Sequence, residues 1–203
     1  VKFKYAWYRE TWAIYLLWTG ASILLIGGVW PSIVSLMVGA GLSAVLPLGD
    51  EQYDCGALDE FQTSYGASWG RLNSIVSPVP GNHEYTSANP DAYGDNDCSP
   101  NAQGYYAYFG AKAGDPTKGY YSFDLGNWHV VALNSNCSVV SCAAGSAQEQ
   151  WLRNDLAAST KPCTVAYWHH PRYTSGSSHG STTTVQPLYQ ALYDNNAEVI
   201  VTG

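Results

Sequence analysis

Three apolar runs in this chain each end on residues that bind metals or move protons. Residues 44–48 lead into Gly49-Asp50-Glu51-Gln52-Tyr53. Residues 75–80 lead into Gly81-Asn82-His83-Glu84, and residues 164–168 lead into His169-His170-Pro171. Asp50, Tyr53, Asn82, His83, His169, His170 and, further on, His179 offer oxygen and imidazole donors with no thiolate among them. Such a set suits Zn, Mn or Fe better than Cu(I) or an iron–sulfur cluster. Two cations about 3.5–4 Å apart, bridged by a carboxylate, can activate water and hold phosphate oxygens during phosphoester hydrolysis. Taken singly, each residue also has a plain structural role. An Asp after a strand glycine is commonly a turn residue or a helix cap, and Gly-Asn is ordinary turn chemistry. Placement of all three groups just past apolar runs favours chemistry.

In open α/β sheets the functional groups sit beyond the carboxyl ends of strands. The pattern predicts strands over 44–48, 74–80, 119–125, 128–134, 164–168 and 198–202, with Gly126-Asn127 as a two-residue hairpin turn. Helices are expected over 56–64, 146–157 and 185–193. The second has the clearest start, since Ser146 can cap it and Glu149 completes a capping box. Residues 86–104 and 172–184 read as polar loops, the latter containing His179. A hairpin within a strand–helix chain implies a mixed sheet, hence an α/β fold. His129 reads as an ordinary strand residue. Gly66-Ala67-Ser68-Trp69-Gly70 matches G-x-S-x-G but lacks the preceding strand that a nucleophile elbow needs.

The composition narrows the function. A net charge of -7 with only nine Lys and Arg, and no basic run, leaves no footprint for a nucleic-acid backbone. The five cysteines form no C-x-x-C pair and lie in Gly/Ser/Asn-rich surroundings, as in exported, disulfide-bonded proteins. Cys137, Cys142 and Cys163 allow more than one pairing, and an odd count leaves one thiol free or one partner missing. Asn136-Cys137-Ser138 matches the glycosylation sequon. No charged residue occurs from Thr11 to Gly49, and 11–30 is long enough to span a bilayer behind Lys2, Lys4 and Arg9. This stretch is expected to be a signal-anchor giving membrane association, or else a buried apolar segment. The location expected is extracellular or cell-surface.

The three motifs, in this order and at this spacing, resemble those of the calcineurin-like metallophosphoesterases. Tyr53 places the likeness with the purple-acid-phosphatase-like branch, and residues 128–136 and 148–156 resemble its exported bacterial members; the resemblance covers about residues 38–203. The resemblance implies two packed mixed sheets flanked by helices, an αββα sandwich. It implies a dimetal centre of Fe with Zn, Mn or Fe, and a phosphate mono- or diester substrate hydrolysed through a metal-bound water or hydroxide. Asp50 would bridge the metals, Tyr53 would bind the first as a phenolate, and Asn82 and His169 would bind the second. His83 would act as general acid or transition-state stabiliser, with His170 and His179 on substrate oxygens.

Two features depart from the family. Residues 1–49 contain no Asp or His for the family's first motif, and the sequence given stops at Val201-Thr202-Gly203, where its last motif, G-H-x-H, would begin. Three expected ligands are thus absent. The expectation is a C-terminally truncated metallophosphoesterase-like domain over 38–203, preceded by an apolar segment over 1–37 that is a signal-anchor or a non-native N-terminus. Such a chain would bind at most the second metal well and turn over little. The alternative is a non-catalytic membrane-anchored or binding protein that keeps an incomplete scaffold.

Overall fold

Strict alternation of side chains across strands builds the core. In β2 (Trp128–Ala132) and the residue after it, Val131 and Leu133 bury on one face and Val130 and Ala132 on the other. In β3 (Cys163–Trp168), Ala166 and Trp168 share the first face and Val165 and Tyr167 the second. These strands are therefore covered on both sides, as parallel strands of an α/β fold must be. In the computed structural model, which describes residues 30–53, 55–86, 100–176 and 180–203, they are the two central strands of a four-stranded mixed sheet. Strand β1 (Tyr121–Leu125) runs antiparallel to β2, while β2, β3 and β4 (Val199–Thr202) run parallel. Gly126 has φ 57°, as the first position of a type II′ hairpin turn requires.

Four layers result. Helices α5 (Ala147–Ala158) and α6 (Gln186–Asp194) cover one face of the sheet through Leu152, Leu188 and Leu192. On the other face lie Leu46, Leu48 and Val79, from two extended segments. Beyond them pack α1 (Trp30–Gly39), the short α2 (Leu58–Glu60) with its π-helical continuation Phe61–Tyr65, and α4 (Gln103–Phe109). A four-residue turn, α3 (Asn82–Tyr85), carries the second motif. The expected mixed α/β architecture is present.

The two extended segments meet through a single parallel bridge between Val45 and Val76. The Val45 N–H donates to the Ile75 carbonyl (2.9 Å), and the Ser77 N–H donates to the Val45 carbonyl (3.0 Å). Both runs were expected as strands. Their ladder stops because Pro47, Pro78 and Pro80 have no N–H to donate, and because Trp69–Ile75 is coiled as a 3-10 turn.

Helix α5 starts as its sequence indicates, with Ser146 Oγ accepting the Glu149 N–H (3.3 Å). The Glu149 carboxylate reaches one residue further back than a capping box, taking the Gly145 N–H (3.0 Å). Helix α4 lies partly in a stretch expected to be loop. Its Tyr105 and Phe109 rings pack edge-on around Phe61 (6.4 and 5.5 Å), so tertiary packing decides that segment. Gly104 admits this approach, because a Cβ there would lie 2.1 Å from the Gly56 carbonyl oxygen.

Cys137 and Cys142 form a disulfide, Cys55 is disulfide-bonded as well, and Cys163 is a free thiol. Asn136 is buried, with its amide donated to the Pro80 carbonyl, so the sequon is closed to glycosylation in the folded chain. Among the described residues no helix is long and apolar enough to cross a membrane. Residues 1–29, and with them nearly all of the candidate anchor 11–30, lie outside the described residues, as does His179.

Candidate metal centre

The site begins with a backbone turn that ordinary residues avoid. Gly49 has φ 85° and Asp50 φ 55°. For a non-glycine residue that region costs on the order of 1 kcal/mol, so something must hold it. The turn rotates the buried Asp50 carboxylate into the gap between all three motifs. Its Oδ1 accepts the His83 backbone N–H (3.1 Å), and its Oδ2 accepts the Tyr53 hydroxyl (3.1 Å). Oδ2 also lies 3.3 Å from His169 Nε2, which in turn lies 3.1 Å from Asn82 Oδ1. Tyr53 Oη, Asp50 Oδ2, His169 Nε2 and Asn82 Oδ1 thus form a continuous string of donors.

The orientation of His169 is fixed from behind. Its Nδ1 bonds to the Leu48 carbonyl (2.7 Å), which turns Nε2 toward Asp50 and Asn82. Backbone carbonyls hold metal-ligating histidines in this way, setting the tautomer. Two oxygen acceptors facing one ring nitrogen make a pocket that wants a cation. Burial pushes the His169 pKa down, but the Asp50 hydrogen bond and charge outweigh it, and the net shift is upward. Burial pushes Asp50 upward, but His169 and the His83 N–H outweigh it, and its net shift is downward. A transition-metal ion would sit among these same atoms, drawing on Asp50 and His169 together. Among the described residues no three His, Cys, Asp or Glu side chains group as a ligand set. The cluster has one carboxylate and one imidazole, completed by an amide oxygen and a phenol oxygen, which suits a hard or borderline cation with part of its sphere supplied from elsewhere.

Around this string stand two further histidines. The His83 ring lies 4.4 Å from the Tyr53 ring. The His170 ring meets the His169 ring edge-on at 4.8 Å. Ser135 Oγ accepts the His170 backbone N–H (2.9 Å) and contacts Nδ1 (2.8 Å). A hydroxyl has one hydrogen to give and two lone pairs to offer, so Ser135 pairs with Nδ1 in either tautomer and anchors the ring from that side. Burial and the neighbouring His169 charge bring the His170 pKa down to about 4, so it is a neutral donor at physiological pH.

Sequence reasoning gave Ser135, Asn136 and Glu84 no part in the site, although all three help to build it. Ser135 and Asn136 follow β2, so their position past a strand end was a usable signal. Glu84 is fully buried, and its carboxylate accepts backbone N–H groups of Gly81, Asp50 and Glu51 at 2.7, 2.9 and 2.8 Å. Burial and the Asp50 charge shift its pKa upward against the pull of these amides. Both Glu51 carboxylate oxygens are buried without a hydrogen-bond partner among the described residues. Burial and the Glu84 charge shift the Glu51 pKa far upward. The G-x-S-x-G stretch is not a nucleophile elbow: a π-helical turn rather than a strand precedes it, and the Ser68 hydroxyl is shared between the carbonyls of Ser64 and Tyr65.

Residues 29–203 match the family described as Calcineurin-like phosphoesterase, which is most of the chain. The chain belongs to that family. It is 27% identical over 146 residues to purple acid phosphatase 15 of Arabidopsis thaliana, covering 66% of this chain and 26% of that protein. It therefore spans about a quarter of the length of that relative. Purple acid phosphatase PPD1 from yellow lupin (Lupinus luteus) seeds superposes with a TM-score of 0.62 at 15% identity, over 84% of this chain and 32% of that one. PhoD superposes with a TM-score of 0.50 at 15% identity, over 86% and 48% of the two chains. At that identity the superpositions establish the fold, a metallophosphatase-type α/β arrangement. For this calcineurin-like phosphoesterase, Asp50, Tyr53, Asn82 and His169 come together, and His83 and His170 flank them.

Proposed function

We propose that this chain carries the core of a metal-dependent phosphoesterase that hydrolyses phosphate mono- or diesters at a two-cation centre. The observation that carries the reading is the donor string from Tyr53 through Asp50 and His169 to Asn82, in steps of 3.1, 3.3 and 3.1 Å. Asp50 lies between Tyr53 and His169, where its carboxylate would serve both cations. Tyr53 would offer a phenol oxygen to one cation, for which Fe(III) is the natural match, and Asn82 and His169 would hold the second, Zn, Mn or Fe(II). When bound, such cations supply Lewis-acid activation of water and neutralise charge on the phosphate oxygens. The protein residues then bind and orient the substrate. His170, anchored at Nδ1 by Ser135, would present Nε2 to a phosphate oxygen. His83, beside Tyr53, protects the leaving oxygen by delivering a proton or stabilising its charge. His179 is assigned to the substrate side as well. The disulfides support export to an oxidising compartment, with cell-surface attachment through 11–30 if that segment anchors.

Metal content per purified chain, by elemental analysis, tests the reading. About one transition-metal ion per chain is expected, lost in both Asp50→Ala and His169→Ala. Absence of metal, or metal that both variants retain, overturns it. The four donors of this chain do not fill two coordination spheres. Hydrolysis of p-nitrophenyl phosphate by the 203-residue chain is accordingly expected to be little or none.

A further inference from the structure

We propose that Glu84 is a positioning residue for the metal centre: its buried carboxylate gathers the backbone amides of the Asp50 turn and fixes that turn in the conformation that presents Asp50 to a cation. This role presupposes the cation site assigned to Asp50, Asn82 and His169.

The geometry is specific. Oε2 accepts from the N–H groups of Gly81 (2.7 Å) and Asp50 (2.9 Å). Oε1 accepts from those of Glu51 (2.8 Å) and Gln52 (3.3 Å). Three successive amides, 50 to 52, converge on one anion. Successive N–H groups point to one side only when the backbone makes a turn of the kind seen here, with Gly49 and Asp50 both at positive φ. Such a concavity ordinarily receives an external anion; here the chain fills it from within. The carboxylate compensates the strained φ of Asp50, and it does so from the residue that also closes the Gly81 end of α3. One side chain therefore ties the first motif to the second, and sets the spacing between Asp50 and Asn82. Glu84 bonds the backbone N–H of Asp50 rather than its side chain, so its effect on the cation passes through that backbone.

A glutamine at this place has the right size and the wrong pattern. Its oxygen can accept from two of the four amides, while its NH2 faces the other two, donor against donor. The turn then loses the anion that holds it. Outer-shell groups that orient metal ligands typically cost 10–100-fold in metal affinity when removed.

The test is a Mn(II) titration followed by electron paramagnetic resonance, with amide hydrogen exchange on the metal-free chain. Glu84→Gln is expected to weaken Mn(II) binding about 10–100-fold and to expose the amides of residues 50–52 to exchange. The control is Leu152→Ala, a buried α5 residue remote from the site, which lowers thermal stability and leaves Mn(II) affinity intact. Equal affinity in Glu84→Gln and the wild type, where Asp50→Ala abolishes binding, overturns the positioning role alone. Mn(II) binding that Asp50→Ala leaves unchanged overturns the cation site itself, and the positioning role with it. Should Glu84→Gln not fold, the wild-type exchange decides: amides 50–52 must be protected without metal, and exchange as fast as in the exposed 115–118 turn overturns the proposal.

Discussion

A buried histidine held between two carboxylates ties stability to pH, and His129 is such a residue. Its Nδ1 lies 3.0 Å from Asp124 and its Nε2 2.8 Å from Asp155. Ser122 donates to Asp155, and Lys161 lies 3.6 Å from Asp124. Burial alone would lower the His129 pKa, but the hydrogen bonds and charges of Asp124 and Asp155 outweigh it and the net shift is upward from 6.5. A raised folded-state pKa means that protonation favours the folded state. The contribution is complete below the unfolded value and is lost as pH rises through the folded one. The stability gap between wild type and His129→Asn, from urea midpoints, should therefore be larger at about pH 5.5 than at about pH 8.5. A gap that does not change with pH would sink this assignment. The sequence could not show it, because Asp155 is 26 residues away on α5. Site residues were more legible. Asp50, Tyr53, Asn82 and His169 follow apolar runs in a fixed order, whereas Glu84 acts through backbone amides 32 to 34 residues away and leaves no pattern except its place one turn after Gly81.

At the scale of elements, the loops at the carboxyl end of the sheet are braced against one another. Gly81 approaches the first motif so closely that a Cβ would lie 2.1 Å from Asp50 Oδ1 and 2.5 Å from Asp50 N. Gly81→Ala should thus separate the two turns, costing about 1–3 kcal/mol in denaturant unfolding and removing bound metal. Retention of metal at wild-type affinity would show that the turns are less tightly coupled than this contact implies. The loop after β2 is braced differently. Ser135 holds His170, Asn136 donates to the Pro80 carbonyl, and Gln148 of α5 exchanges two hydrogen bonds with the Asn134 backbone. The Cys137–Cys142 disulfide closes this loop across a separation of five residues. For so short a loop, closure entropy predicts about 2 kcal/mol lost in Cys137→Ser/Cys142→Ser, readable as a fall in Tm. Strand and helix positions here were readable from alternation, turn residues and the Ser146 cap. Helix α4 was not, because its aromatic residues respond to the ring cluster around Phe61 rather than to a periodic pattern.

For the whole molecule, what matters is that the donors come from both halves of the sandwich. Asp50 and Asn82 follow the extended pair that covers one face of the sheet, and His169 follows β3 of the sheet itself. A cation shared by these residues ties the two layers together at one end, where the connecting hydrogen bonds include His169 to Leu48 and Asn136 to Pro80. Binding to the folded state alone stabilises by mass action, about 2.7 kcal/mol when free ligand is 100-fold above Kd. For a chain of this size, each kcal/mol moves Tm by about 2–4 °C. Saturating Mn(II) should therefore raise Tm by roughly 5–11 °C, by differential scanning calorimetry. His169→Ala should abolish the rise, because the layer-crossing ligand is gone, while Cys163→Ser should leave it intact and thereby exclude the free thiol as the binding group. A rise that persists in His169→Ala would mean that the cation binds within one layer, and that Asp50, Tyr53 and Asn82 hold it without the sheet.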